Sequence, residues 1–286
     1  MKKNHLGQLK LCEICIPRKD LLEECALNIS VNTYMALFDL VKPEKIAGCL
    51  EAAQNVLVDS LRQRKGKVRL GVQVASLSSW VGDAVVEKFL LDDRFDAEVV
   101  ITWQTNTDQK KEISQLVDHF SKKTINGYHI PFVIADGNHH PSDYDILFFT
   151  SPYAFAFANF WDREITLDTL ICYVPYGFAS CNIQATTLNL LVPIACWKFF
   201  VLTQHRKLVA QKYRSIGSFG MVYSGYPKLD PLLDPNCGKN CQWKIVGNPK
   251  KVRKIIYAPH HSINEMPFPL IVLAMIQFGL SSERLL

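Results

Sequence analysis

Val68-Arg69-Leu70-Gly71-Val72-Gln73-Val74-Ala75 reads as a β-strand, and its context decides the fold. Ser76 to Ser79 follows with turn and capping residues, and Val81 to Leu91 continues at helical spacing. The pattern then repeats. Asp96 to Trp103 is a second strand, and Lys110 to Lys123 is an amphipathic helix with Ile113, Leu116, Val117 and Phe120 on one face. Ile130 to Ala135, Tyr144 to Thr150 and Leu170 to Pro175 supply three further strands. Strand alternating with helix predicts an α/β fold with a parallel sheet and right-handed crossovers. Residues 67–190 are therefore expected to form one Rossmann-like domain.

Working outward, residues 1–66 read as a helical extension. Leu21, Leu22, Cys25, Ala26 and Ile29 recur at helical spacing, as do Ile46, Cys49, Leu50, Ala53, Val56, Leu57 and Leu61. Pro43 suits the first turn of the second helix, where its missing N–H costs nothing. A helical hairpin joined near Val41-Lys42 follows, ending at the polar hinge Arg62 to Lys67. In the other direction, residues 191–286 are expected to hold a linker helix, about Pro193 to Tyr213, and then the strands Gly220 to Gly225 and Lys254 to Ala258. Those strands would open a second, incomplete Rossmann-like domain, with Pro231 to Gly247 as a loop between them.

The composition is 48% apolar and 21% charged with a net charge of +5, ordinary for a chain with a real core. The modest positive excess suits an anionic partner such as a nucleotide, a phosphate polymer or a lipid surface. No apolar core of a secretory signal forms behind Met1-Lys2-Lys3, so the 9 cysteines are expected to be reduced thiols in a cytoplasmic protein. Cys12/Cys15 and Cys237/Cys241 have spacings that could ligate zinc, but they are far apart and in no compact ribbon pattern, so no metal is expected. No run reaches the ~18 apolar residues of a membrane span. Leu188 to Leu202 and Pro267 to Leu280 are apolar enough for buried helices or a surface contact with a membrane. A glycine-rich phosphate loop, GxGxxG, GxSxG, HExxH and a kinase signature are all missing from the sequence, which leaves an ATPase, dehydrogenase, serine hydrolase or zinc protease without support.

Three stretches carry candidate chemistry. Val174-Pro175-Tyr176-Gly177-Phe178 is a tight strand exit whose Gly177 would let a ligand approach the backbone; it is equally an ordinary Pro/Gly turn. Ser224-Gly225-Tyr226-Pro227-Lys228-Leu229-Asp230 offers a cation at Lys228 and an acceptor at Asp230; the bland alternative is an N-cap by Asp230 beside a solvated lysine. Pro259-His260-His261-Ser262 places two imidazoles and a hydroxyl at a strand end, where they could donate to a pyrophosphate, bind a metal, or simply be surface polar groups.

At these stretches the chain resembles a known family. Gly225-Tyr226-Pro227-Lys228-Leu229-Asp230 resembles the G-x-P-[RK]-x-D motif of the CDP-glycerol glycerophosphotransferases, the teichoic acid and capsule transferases of GT-B class. Ile256 to Ser262 resembles the family's next strand and nucleotide-facing turn, and Val68 to Trp80, Asp145 to Thr150 and Cys172 to Phe178 resemble its first domain. The resemblance implies two Rossmann-like domains facing across a cleft. It implies transfer of glycerol phosphate from CDP-glycerol to a cell-wall or capsular polymer, with CMP leaving. His260, His261 and Ser262 would hold the donor phosphates, Lys228 and Asp230 would shape the donor side, and Tyr176 and Gly177 the acceptor side. No cofactor is implied beyond the donor substrate. The expected partners are a nucleotide-activated donor and a polyol-phosphate or polysaccharide acceptor, with peripheral contact at the inner face of the membrane; nucleic acid is not among them. Where the family carries His-Gly, this chain has Tyr176-Gly177, and a phenol is a weak base at neutral pH. Family members also continue through further strands beyond the His260-His261 region. This chain passes instead into Met266-Pro267-Phe268-Pro269 and an apolar tail, so a C-terminally shortened, inactive and self-associating form is expected. A nucleotide-sugar glycosyltransferase of the same fold, and a non-catalytic interaction module, are the alternative readings.

Overall fold

In a computed structural model of the chain, the described residues are 43–103, 108–153, 160, 169–177, 187–233 and 235–236. Strand β1, Val68–Val74, is the axis of the architecture. Its aliphatic residues Leu70, Val72 and Val74 all point to one face and are essentially without solvent contact. β1 pairs in parallel with β2, Phe95–Ile101, on one side. On the other it pairs in parallel with β6, Ile146–Phe149. β5, Phe132–Ile134, lies beyond β2; β7, Leu170–Tyr173, lies beyond β6. A small antiparallel hairpin, β3 at Thr124–Ile125 and β4 at Tyr128–His129, precedes β5 and was not foreseen from sequence. It turns on Asn126 and Gly127, both at positive φ.

The sequence expectation needs correction after residue 190. A single helix over 193–213 does not form. The segment is instead α4, Leu191–Ala195, then β8, Lys198–Val201, then α5, Gln204–Tyr213. An apolar run cannot by itself distinguish a buried helix from a buried strand. Here the aromatic and β-branched residues of Lys198-Phe199-Phe200-Val201 chose the strand. Thr203 then caps α5, its side chain accepting from the Arg206 amide. β9, Met221–Tyr223, pairs in parallel with β8 rather than opening a second domain. Among the described residues the sheet therefore has 7 strands in the order β5-β2-β1-β6-β7-β8-β9, and it runs through the expected boundary at residue 190. The helix expected before Val41, the strand at 254–258, the paired cysteines at 12/15 and 237/241, and His260-His261-Ser262 lie outside the described residues.

Helices cover both faces, which is why the strands read as nearly continuous apolar runs. One face carries α2, Asp83–Leu90, and α3, Gln109–Lys122, on a cluster with Trp80, Val86, Leu116 and Phe120. Trp80 meets Phe120 edge to face, with ring centroids 5.0 Å apart. The other face holds Leu147, Phe149, Tyr173, Phe199 and Val201 under Leu188, Val192 and Phe160. Helix α1, Pro43–Gln63, joins this face where the Gln54 amide donates to the Ala195 carbonyl at 3.4 Å.

Two details fix how the strands sit. Gly71 lies under Tyr144, and a Cβ there would come within 2.7 Å of Leu147 and 2.9 Å of the Tyr144 ring. The ring's hydroxyl continues to Glu98, donating at 2.7 Å. At the amino end of the sheet, Asp145 is buried and accepts from both terminal nitrogens of the Arg64 guanidinium and, at 2.8 Å, from the Arg69 amide. Burial alone would raise its carboxyl pKa; the Arg64 hydrogen bonds, the Arg69 amide and the two positive charges outweigh that and hold it below the usual range.

Candidate functional site

Omitting the β3–β4 hairpin, the sheet has the 3-2-1-4-5-6 order of doubly wound nucleotide-binding folds, extended by one strand. The chain winds outward from β1 in one direction, then returns to β6 and winds in the other. The winding reverses between β1 and β6, and the carboxyl ends of the strands at such a switch point are where open α/β sheets bind ligands.

Polar groups are concentrated there. Gln73, Thr102, Thr150 and Ser151 are at most 3% exposed, although they stand among aliphatic and aromatic strand residues. The Gln73 side-chain Nε2 donates to the Thr102 hydroxyl at 2.7 Å, and the Thr150 hydroxyl donates to the main-chain carbonyl of Gln73 at 3.3 Å. Buried polar groups persist only when hydrogen-bonded, so this ladder joins the ends of β1, β2 and β6 into one polar floor. Sequence reasoning missed it. The signal was a glutamine inside an aliphatic strand and a threonine at the exit of each neighbour.

Above the floor lies the loop from β1 to α2. Ser76 to Ser79 forms a turn of 3-10 helix, Leu77–Ser79. The Ser79 hydroxyl donates to the Ser76 carbonyl at 2.9 Å, and the Ser76 hydroxyl reaches Ser79 at 3.1 Å. These serines hold the loop instead of capping α2, whose N-cap is Gly82 with no side-chain cap. Behind them the Trp80 indole donates to Asp83 at 2.7 Å, and Asp83 pairs with Lys123.

The structure brings together four of the residues singled out in the sequence. Tyr176 and Gly177 stand at the exit of β7, with Tyr176 exposed and no neighbouring atom within 4 Å of where a Gly177 Cβ would be. Lys228 and Asp230 lie on a 3-10 helix, Pro227–Leu233, that follows β9. Asp230 is inside this helix and exposed, so it is not an N-cap. The segment after β9 does not leave the sheet. The Tyr226 hydroxyl donates to the Tyr176 carbonyl, and the Lys228 ammonium donates to the Ser78 carbonyl at 3.0 Å. The 3-10 helix then packs on α2. Residues 224–233 are thus a strap from the edge strand back across the carboxyl ends of the sheet. It sets the Lys228 cation over the serine loop and ties it to the Tyr176 turn.

Among the described residues no group of three or more His, Cys, Asp or Glu is arranged to hold a metal. At the exit of β5, His139 Nδ1 lies 3.6 Å from Asp136. The Asn138 amide there donates to Asp136 and holds its carboxyl below the usual range. No helix among the described residues is long and apolar enough to cross a membrane.

No family model matches the chain. No curated protein matches it either. Among solved structures it is similar to a crystal structure from Listeria monocytogenes of a protein assigned as a UDP-N-acetylglucosamine 2-epimerase, with 14% identity and a TM-score of 0.40 over 65% of this chain and 50% of that one. The chain spans about half the length of that structure.

Proposed function

We propose that this chain belongs to a transferase that uses a nucleotide-activated donor, and that the donor is CDP-glycerol. In this reading an acceptor hydroxyl on a cell-wall or capsular polymer attacks the β-phosphorus. A new P–O bond forms, the bond to CMP breaks, and CMP leaves with the electron pair; the hydroxyl proton passes to a base. Lys228 and Asp230 serve the donor side and Tyr176-Gly177 the acceptor side. His260, His261 and Ser262 hold the donor phosphates. The observation that carries the reading is the strap. Two stretches far apart in sequence, 174–177 and 225–230, meet at one carboxyl edge beside the switch point, joined by the bond from Tyr226 to Tyr176.

Calorimetric titration of the purified chain with CDP-glycerol tests the reading, run beside a His260→Ala/His261→Ala variant and a UDP-sugar control. Saturable binding of CDP-glycerol that the double variant loses, with weaker or no binding of the UDP-sugar, is the expected result. Equal binding of both nucleotides would move the assignment to a nucleotide-sugar glycosyltransferase. Absence of binding by a folded chain would favour a non-catalytic interaction module.

A further inference from the structure

We propose that residues 224–233 act as a hinged latch that opens over the switch point without unfolding the sheet. The strap starts at Ser224, whose amide makes the last backbone bond to β8, donating to the Val201 carbonyl at 3.1 Å. The next residue is Gly225 at φ +79, a conformation that favours glycine, with no neighbouring atom within 4 Å of its Cβ position. A single left-handed glycine in open space is a natural pivot, because it can change φ and ψ without a side-chain clash.

Beyond the pivot the strap is lightly anchored. None of residues 224–233 is buried. Among the described residues, the backbone bond that stabilises its turn is internal, from the Leu229 amide to the Tyr226 carbonyl at 2.9 Å. Its anchors are the half-buried Tyr226 ring on the core cluster, the Tyr226 hydroxyl on the Tyr176 carbonyl, Lys228 on the Ser78 carbonyl, and the packing of the 3-10 helix on α2. Leu229, Leu232 and Leu233 remain exposed, Leu233 by 82%, so closure buries little apolar surface. The strands below contrast with this. β1 pairs through all seven of its residues with β2 and is buried from Leu70 to Val74. Segments with few buried contacts open at a far smaller cost than core strands.

The consequence is gating. In the closed position Tyr226 and Lys228 occupy the backbone acceptors of the two loops beside the switch point. Opening frees the Ser76–Ser79 loop, the Tyr176 turn and the Lys228 cation together. The gating role rests on the donor site proposed above; the latch itself rests only on the geometry of the strap.

Amide hydrogen exchange of the full chain tests it, comparing wild type with Tyr226→Phe and Lys228→Met. Each variant deletes one donor and keeps most of the packing. Losing one such hydrogen bond should speed exchange in the strap about fivefold, the equivalent of about 1 kcal/mol, while β1 and β7 keep wild-type rates. Unchanged strap exchange in both variants would overturn the latch. So would acceleration shared equally by β1 and β7, because the strap would then be part of the sheet's cooperative unit. The association rate of CDP-glycerol, followed on the same proteins, should rise in Tyr226→Phe, which leaves the Lys228 cation in place. Failure of every protein to bind CDP-glycerol would remove the proposed donor, and the exchange result would still decide the latch.

Discussion

Arg214 is a buried cation with three carbonyl partners, and replacing it should show how the outer edge of the sheet is held. It is 3% exposed. One terminal nitrogen donates to the Gly217 carbonyl at 3.1 Å and to the Phe219 carbonyl at 2.6 Å, and the other donates to the Pro193 carbonyl. The guanidinium also lies 5.7 Å from the Phe199 ring centroid. These contacts tie the middle of α4 and the turn before β9 to the end of α5 and, through the Phe199 ring, to β8. Burial lowers the pKa of Arg214, because desolvation penalises the charged form. Two large effects therefore oppose each other. Hydrogen bonds to a charged group contribute roughly 1.5–3 kcal/mol apiece. Removing a buried cation returns a desolvation cost of several kcal/mol. Arg214→Met leaves three carbonyls short of a donor, and the net loss should be about 3 kcal/mol. For a domain of this size that is a fall in melting temperature of about 6–12 °C. Arg214→Lys should recover less than half, since a single ammonium cannot span the fork of carbonyls. Thermal and urea melts followed by circular dichroism measure both. A methionine variant melting within about 2 °C of wild type, or above it, would show that desolvation cancels the hydrogen bonds, and the argument for Arg214 as the edge clamp would fail.

Three further outcomes are expected. Gly71→Ala should cost roughly 1–3 kcal/mol in a denaturant melt, because the new methyl meets Leu147 and Tyr144 within 3 Å; Gly71→Ala combined with Tyr144→Leu should recover part of the loss. Asp145→Asn should destabilise at neutral pH. The folded carboxyl titrates below its unfolded value, so its contribution is full above about pH 4 and is lost as pH falls through the folded pKa. The stability gap between wild type and variant should accordingly narrow in acid, and a gap that is constant with pH would count against the Arg64 clamp. Burial pushes the Cys196 thiol up to about 12 and raises Cys172 as well, so neither should react with iodoacetamide at pH 8 until denaturant is added, as read by peptide mass spectrometry.

The first half of the sheet was legible in the sequence because its punctuation is clear. β1, β2, β6 and β7 are aliphatic or aromatic runs bounded by polar turns, and α3 shows its buried face through Leu116 and Phe120. Legibility failed at 191–213. There the polar break between elements is reduced to Thr203, and Pro193 sits inside a single short helical turn instead of opening a long helix. The misplacement of β9 followed from that error. With β8 read as helix, the strand at 221–223 had no neighbour to pair with and was assigned to a new domain. The site was half legible. Residue types pointed to Tyr176 and Lys228 separately. Their connection through a tyrosine hydroxyl and a backbone carbonyl leaves no pattern in a linear sequence.

The strand order carries a consequence for how the chain assembles during synthesis. After β6 returns to the free side of β1, every later strand of the sheet lands beside the strand made just before it: β7 on β6, β8 on β7, β9 on β8. From β6 onward the growing sheet offers an already formed strand as template to each new strand leaving the ribosome. The exception is the start, where β1 is held on one side only until β6 is made. The interval between residues 75 and 146 is thus when a nascent chain leaves the β6-facing edge of its central strand unpaired, and when chaperone contact should be densest.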